Sequence, residues 1–299
     1  MDVELRHLRA FVAVAEELSF TRAAVRLHLV QQALSAQIGQ LEERLGVQVV
    51  ERTTRRVALT DAGRELYPRA VAILAAVEEA ERATRAAATE RVEVVLGFVA
   101  PLDVGAMQPV LRRLAEDEPG IEVTVRFADL LDPSGGLRRG ESDVAKVYGP
   151  FDTTGLELLP LWTEPRGVAV GATHPFAARD AITIDELVAE PTFDFPTSDP
   201  LWREFWTATA HRRGRPPLIA AQYRSLDALL EAVRAGLGVH LMTRPLVRST
   251  SGITWVPVEG LEPLEHFLAW RAGDERPGVA ALAAAARAVA DDLAGAAPS

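Results

Sequence analysis

Cysteine is missing from all 299 residues, and lysine occurs once, at Lys146. The missing thiols exclude disulfides, thiolate nucleophiles and cysteine-ligated metal centres. The histidines, His7, His28, His174, His211, His240 and His266, fall at no metal-ligand spacing. Neither a Gly-x-Ser-x-Gly elbow nor a phosphate-cradling glycine loop occurs. No catalytic residue, metal or cofactor is therefore expected, and an enzyme would need strongly perturbed carboxylates in a cleft. The acid pairs Glu42-Glu43 and Asp291-Asp292 read as solvated helix faces. Long apolar runs are lacking too, since nothing approaches the roughly 20 residues that span a bilayer. The opening Met1-Asp2-Val3-Glu4-Leu5-Arg6 shows no basic cluster followed by an apolar stretch, so a cytoplasmic protein is expected. With 48% hydrophobic and 25% charged residues the chain has an ordinary soluble composition, and its length suits two or three domains.

Among what is present, residues 19–63 carry the densest pattern. Ser19-Phe20-Thr21-Arg22-Ala23-Ala24, then Leu27 to Ser35, then Leu41-Glu42-Glu43-Arg44-Leu45-Gly46, predict a short helix, a tight turn and a longer helix. Thr21 is a candidate cap for the first, whose apolar face is Ala24 and Leu27. Leu34, Ile38, Leu41 and Leu45 give the second a buried stripe, and Gln31, Gln32, Ser35 and Gln37 are placed on its opposite face. Such neutral hydrogen-bonding side chains read base edges in a major groove, which makes the pair a candidate helix-turn-helix. An ordinary amphipathic surface helix is the bland alternative. Gly46 suits the left-handed helix end, and Val47 to Glu51 and Val57 to Thr60 are β-like runs around Arg52-Thr53-Thr54-Arg55-Arg56. That tip reads either as a solvated turn or as a basic wing in which Arg52, Arg55 and Arg56 reach phosphates.

Residues 3–66 resemble the N-terminal domain of LysR-type transcriptional regulators. Leu5-Arg6-His7-Leu8, Phe11 to Glu16, Ser19 to Ala24, Gln40-Leu41-Glu42 and Leu59-Thr60-Asp61-Ala62-Gly63 stand in that family's order and spacing. The resemblance implies a winged helix-turn-helix contacting double-stranded DNA through Thr21, Arg22, Gln31, Gln32, Ser35, Gln37, Arg52, Arg55 and Arg56. Three positions depart from the family: Val30 where Ser is usual, Gln32 where Pro or Ser is usual, and Ala36 in place of a longer, often basic residue. Operator preference is therefore this chain's own. Net charge is −10, from 32 basic and 42 acidic residues, with 12 and 13 of them in residues 1–90. Phosphate attraction should thus be modest, and specificity would depend on doubling the contacts in a dimer.

From Thr60, a candidate cap, one Ala- and Glu-rich helix is predicted to about Thr89. Leu66, Ala70, Ile73, Val77 and Ala80 alternate by four and three along it, as in a coiled-coil seam. A helix packed on its own domain would show the same stripe. In LysR-type relatives this helix pairs two subunits, which implies a homodimer, extended to a homotetramer in some cases, and an inverted-repeat operator.

Beyond residue 91 strands and helices alternate, predicting a parallel sheet covered by helices. Expected elements are strands Val92 to Val99, Ile121 to Phe127 and Asp143 to Tyr148, a helix from Met107 to Ala115, and another helix ending near Gly140. Further on come a strand from Gly167 to Gly171, a helix from Leu201 to Arg212, and a last helix from Val279 to Leu293. The stretches Leu137 to Ala145, Leu158-Leu159-Pro160-Leu161-Trp162, Val168 to Gly171 with His174-Pro175, and Glu231 to Val239 resemble the effector domain of the same family. That implies a two-lobed α/β fold shared with type 2 periplasmic solute-binding proteins. The expected organisation is a winged helix-turn-helix in 1–60, a linker helix in 61–90 and an effector domain in 91–299. Its lobe I takes 91–161 and 267–299, and its lobe II takes 162–266. The resemblance implies a small-molecule effector, a second copy of the chain and RNA polymerase as partners, with no membrane.

Ligands of open α/β sheets sit at strand carboxyl ends. Val99, Ala100, Pro101, Ala128, Lys146, Tyr148, Trp202 and Ser225 are the candidate effector contacts, with the helices opening at Asp199 and Ser225 aiming N–H groups inward. Lys146 interrupts an apolar strand and is either a snorkelling side chain or a cationic anchor for an anionic effector or for Asp103. Trp202 and Tyr223 are aromatic walls or core residues. An effector-independent regulator with a degenerate pocket is the second reading.

Overall fold

Helix α1, Leu5–Glu17, buries Leu8, Phe11 and Val14 on one face, and α2, Phe20–Arg26, and α3, Gln31–Leu45, close over them. The computed structural model describes residues 3–52, 57–87, 92–99, 105–197, 199–244 and 250–295. They fall into two units, one of residues 1–90 with Arg138–Glu141, the other of the remainder. In the first unit Ser19, not Thr21, caps α2: its Oγ accepts from the Arg22 N–H at 3.4 Å, and Thr21 lies inside the first turn. Extended backbone at Ser19 makes it the last residue outside the helix. Leu34, Ile38 and Leu41 are fully buried, whereas Leu45 is exposed, because the left-handed Gly46 turns the chain away at that point. Glu42 is not solvated either, since its carboxylate accepts the N–H groups of Val49 and Val50 at 3.0 and 3.2 Å.

Strands β1, Val50–Arg52, and β2, Val57–Leu59, form an antiparallel hairpin. Thr60 accepts from the Gly63 N–H at 3.0 Å and donates to Gln48 at 2.7 Å, capping α4, Asp61–Ala87. The helix runs through Pro68. Gly63 faces the hairpin so closely that a Cβ there would lie 2.0 Å from the Val49 carbonyl oxygen.

The second unit contains a mixed five-stranded sheet rather than a wholly parallel one. Its order is β4 (Ile121–Phe127), β3 (Val92–Phe98), β5 (Val144–Tyr148), β13 (Leu264–Arg271) and β6 (Leu156–Glu164). The first three are parallel, and β13 is antiparallel to both β5 and β6. Strand β6 escapes the sequence pattern because Pro160 interrupts it; it is an edge strand, where a missing N–H is tolerated. Helices α5, Gln108–Asp117, and α9, Pro277–Gly295, cover one face through Val110, Leu114, Leu282 and Ala286.

A second sheet has the order β11 (His240–Met242), β7 (Gly167–Gly171), β12 (Ile253–Glu259) and β8 (Ile182–Thr183). A parallel pair, β9 (Thr192–Asp194) with β10 (Ile219–Gln222), stands beside it. Helices α6, Ile184–Ala189, α7, Pro200–Trp206, and α8, Leu226–Arg234, accompany these strands. Strands β6 and β13 continue through 161/162 and 266/267, the positions at which the lobes were expected to part, and their pairing shifts register there, between His266 and Phe267.

Two expected helices differ. No helix precedes Gly140; residues 130–140 are turns, with Gly135, Gly136 and Gly140 at positive φ. Buried Asp132 holds them by accepting from Ser134 N–H and Oγ and from Gly136 N–H. Gly97 of β3 allows that approach, since a Cβ there would lie 2.1 Å from the Gly135 oxygen. The helix expected from Leu201 to Arg212 stops at Trp206, where Ala208 turns left-handed, and a separate 3-10 turn spans Thr209–Arg212. The Thr207 hydroxyl bonds the Arg203 carbonyl at 2.9 Å, competing with the helix ladder.

Candidate DNA interface and effector cleft

A helix advances about 100° per residue, so the buried positions Leu34, Ile38 and Leu41 fix the faces of α3. Gln32, Ala36 and Gly39 point outward and are exposed. Gln31 and Ser35 flank the buried stripe on one side and Gln37 flanks it on the other, so the four polar residues do not share one face. Gln31 Oε1 accepts from the Thr21 hydroxyl at 3.3 Å, joining the starts of both helices. Arg22 turns back to Glu17, donating to its carboxylate at 3.1 Å and to its carbonyl. Arg55 and Arg56 lie outside the described residues, as does the side chain of Arg52. The arrangement is held from behind by buried His7, which meets Gln40 at 3.1 Å, and by Arg44, which reaches Glu4 at 3.0 Å.

The expected seam on α4 divides. Ala70 is fully buried in the core of its own head, with Leu66 packed beside it, so both serve the intradomain reading. Ile73 is 45% exposed, Ala80 is exposed and Val77 is half-buried.

In the second unit Tyr148 ends β5 and meets two indoles from α7: Trp202 at 5.3 Å and Trp206 at 6.0 Å between ring centroids. These line a cavity of about 40 Å³ with Phe195, Tyr223 and His240. Trp202 and Tyr223 are thus both buried and cavity-lining. Trp206 and His240 were not anticipated; the four-residue spacing of Trp202 and Trp206 was the available signal.

Lys146 is fully buried on β5, its Nζ 4.6 Å from the Tyr148 ring centroid and 5.5 Å from that of Trp162. Trp162 stacks on buried His266 at 4.9 Å, and His266 Nε2 lies 3.1 Å from Glu164. A snorkelling lysine does not fit that burial. Val99 is buried, and Ala128 is half-buried with its N–H on the Phe98 carbonyl. Ala100, Pro101 and Asp103 lie outside the described residues. Ser225 is exposed and caps its own helix through Ala228 N–H, while Asp199 accepts from Trp202 N–H at 3.0 Å. At each of these helix starts one N–H is thus already taken by the chain's own cap side chain.

Arg203 fixes α7 to β9 through a bidentate pair with Asp194, at 2.6 and 2.7 Å. Burial pushes the Asp194 carboxyl up, but Arg203's bonds and charge outweigh it and leave it below the usual range. His240 meets Tyr223 Oη at 3.1 Å, and burial pulls the imidazole from 6.5 down to about 3. As pH falls through 6.5 toward 3, the unfolded chain gains a proton that the folded chain refuses. Stability at this site should then drop by up to about 1.4 kcal/mol per pH unit. Urea unfolding at about pH 7 and about pH 5 measures this, and His240→Gln should flatten the dependence.

A helix pair with a hairpin, followed by a long helix and an α/β unit of three sheets, is the make-up of a regulator with a DNA-binding head and an effector-binding domain. Residues 5–64 match the bacterial regulatory helix-turn-helix family of LysR type, and residues 87–291 match the LysR substrate-binding domain. The chain belongs to the LysR family of transcriptional regulators. It is 32% identical over 284 residues to the Hca operon transcriptional activator HcaR of Escherichia coli, covering 92% of this chain and 94% of that protein. It is also 32% identical over 245 residues to AlsR of Bacillus subtilis, covering 79% of each. Full-length BenM is 25% identical, with a TM-score of 0.54 over 97% of this chain and 98% of that one. Among the described residues no helix is long and apolar enough to cross a membrane.

Proposed function

We propose that the protein binds an inverted-repeat operator in the cytoplasm as a dimer or tetramer, and that a small molecule in the cleft beside Tyr148 resets its grip. It performs no catalysis. The observation that carries the reading is the start of α3, where Gln32 faces outward with Gln31 and Ser35 beside it. A bidentate amide-to-base contact contributes about 1–3 kcal/mol of discrimination. Gln32→Ala should therefore relax base preference at one position by that amount, and Gln31→Ala by no more. Arg55→Ala should instead weaken all duplexes alike. Binding titrations on cognate and random duplexes measure both, and equal losses for all variants would refute this division. Pairing of subunits falls to Ile73, Val77 and Ala80, since Leu66 and Ala70 serve the head. Double replacement Ile73→Asp with Val77→Asp should shift sedimentation to the monomer and abolish protection of paired half-sites in footprints of the flanking DNA.

An effector must part Tyr148 from Trp202 and Trp206, because about 40 Å³ holds only a water or two. Opening the lobes would shift the placement of paired reading heads. The small cavity favours the second reading, a regulator without an effector. Metabolite screening by thermal shift separates them: one stabilising compound supports the first, and uniform silence the second.

A further inference from the structure

On the other side of α7 lies a larger cavity of about 510 Å³, within the range of small-molecule sites. Trp202 and Trp206 face the cleft described above, whereas Leu201 and Phe205, each one residue before a tryptophan and so about 100° round the helix from it, line this second space. Its apolar walls also include Phe151, Leu158 of β6 and Phe267 of β13. Nothing in the operator or effector reading uses it.

Arg166 forms part of its lining and is only 7% exposed. The guanidinium lies over the Phe205 ring, 3.6 Å from its centroid, and donates to the Phe205 carbonyl at 2.7 Å. Its Nε has no hydrogen-bond partner among the described residues. A buried donor of a charged group left unmade is costly; Nε is itself enclosed, so an oxygen acceptor reaches it only as the cavity wall shifts, and then gains a charge-assisted bond. Three carboxylates oppose the guanidinium. Glu204, Glu262 and Glu265 line the same space, with His211 3.3 Å from Glu262. A carboxylate drawn to Arg166 would meet three like charges, and a cation drawn to them would meet Arg166.

We propose that this cavity is a second small-molecule site, for a neutral, largely apolar compound that presents one carbonyl oxygen to Arg166 Nε. Aromatic amides, ketones and lactones have that form. The site stands whether or not the aromatic cleft takes an effector, and its occupant would bear on the same short helix that carries Trp202 and Trp206.

The test uses the full chain, with the methyl groups of Leu158 and Leu201 as NMR reporters and phenylacetamide, its ring-substituted analogues and phenylacetate as probes. The amides should shift both reporters saturably, and the acid should bind about tenfold more weakly, because its charge meets Glu204, Glu262 and Glu265. Leu158→Trp, which fills the space and keeps Arg166, should abolish the shift of the remaining reporter, Leu201, while circular dichroism and DNA binding persist. Arg166→Lys keeps the charge but gives up Nε, and should cost about tenfold in affinity. Equal or tighter binding of phenylacetate overturns the proposal. So does silence from every amide, a shift that survives in folded Leu158→Trp, or full affinity in folded Arg166→Lys.

Discussion

Lys146→Met should leave operator binding intact and abolish the response to an anionic effector. Methionine matches the length of the aliphatic stem and suits the ring-lined setting of Tyr148 and Trp162. What disappears is the charge. A charge-assisted hydrogen bond contributes about 1.5–3 kcal/mol, so affinity should fall about 10- to 150-fold. Calorimetry with the effector, alongside a reporter assay, measures it, and an unchanged response in folded Lys146→Met rejects the anchor role. If Lys146 instead serves an internal carboxylate such as Asp103, the same variant leaves that acid unpaired. The signature is then a loss of about 3–5 kcal/mol in stability.

Gly63→Ala should destabilise the DNA-binding head by about 1–3 kcal/mol or more, because the added methyl meets a backbone carbonyl that has no rotamer by which to move aside. The clash is with Val49, whose N–H is held by Glu42, and the Thr60 cap is anchored to neighbouring Gln48. Strain at Gly63 therefore reaches the end of α3 and the hairpin together. Chemical denaturation followed by circular dichroism should show a lowered midpoint and weakened DNA binding, with the effector unit's transition unmoved. A midpoint equal to wild type would show that α4 can shift away freely.

Local rules made the head legible. Leu34, Ile38 and Leu41 announced α3, Gly46 its end and Thr60 the start of α4, since each depends on residues a few positions apart. Leu45 misled because periodicity does not say where a core stops. The four polar residues of α3 misled because placement opposite the stripe has to be computed from the residues that are actually buried. In the second unit Pro160 hid an edge strand, and the antiparallel return of β13 depends on pairings about 100 residues apart in sequence that no local window contains. The turns at 130–140 were hidden by the strand–helix alternation on either side, although Pro133, Gly135 and Gly136 argued against a helix. Of the cleft, Tyr148 and Trp202 were readable from strand and helix ends. Trp206 carries only its four-residue spacing from Trp202 as a signal, and His240 and the Arg166 cavity arise from tertiary contacts alone.

The solitary lysine has a practical consequence. Apart from the amino terminus, its Nζ is the protein's one primary amine, and it is enclosed completely. Acylating reagents should modify that side chain only while the lobes part, which makes the rate of labelling a clock for breathing of the sensor, readable by mass spectrometry without any engineered probe.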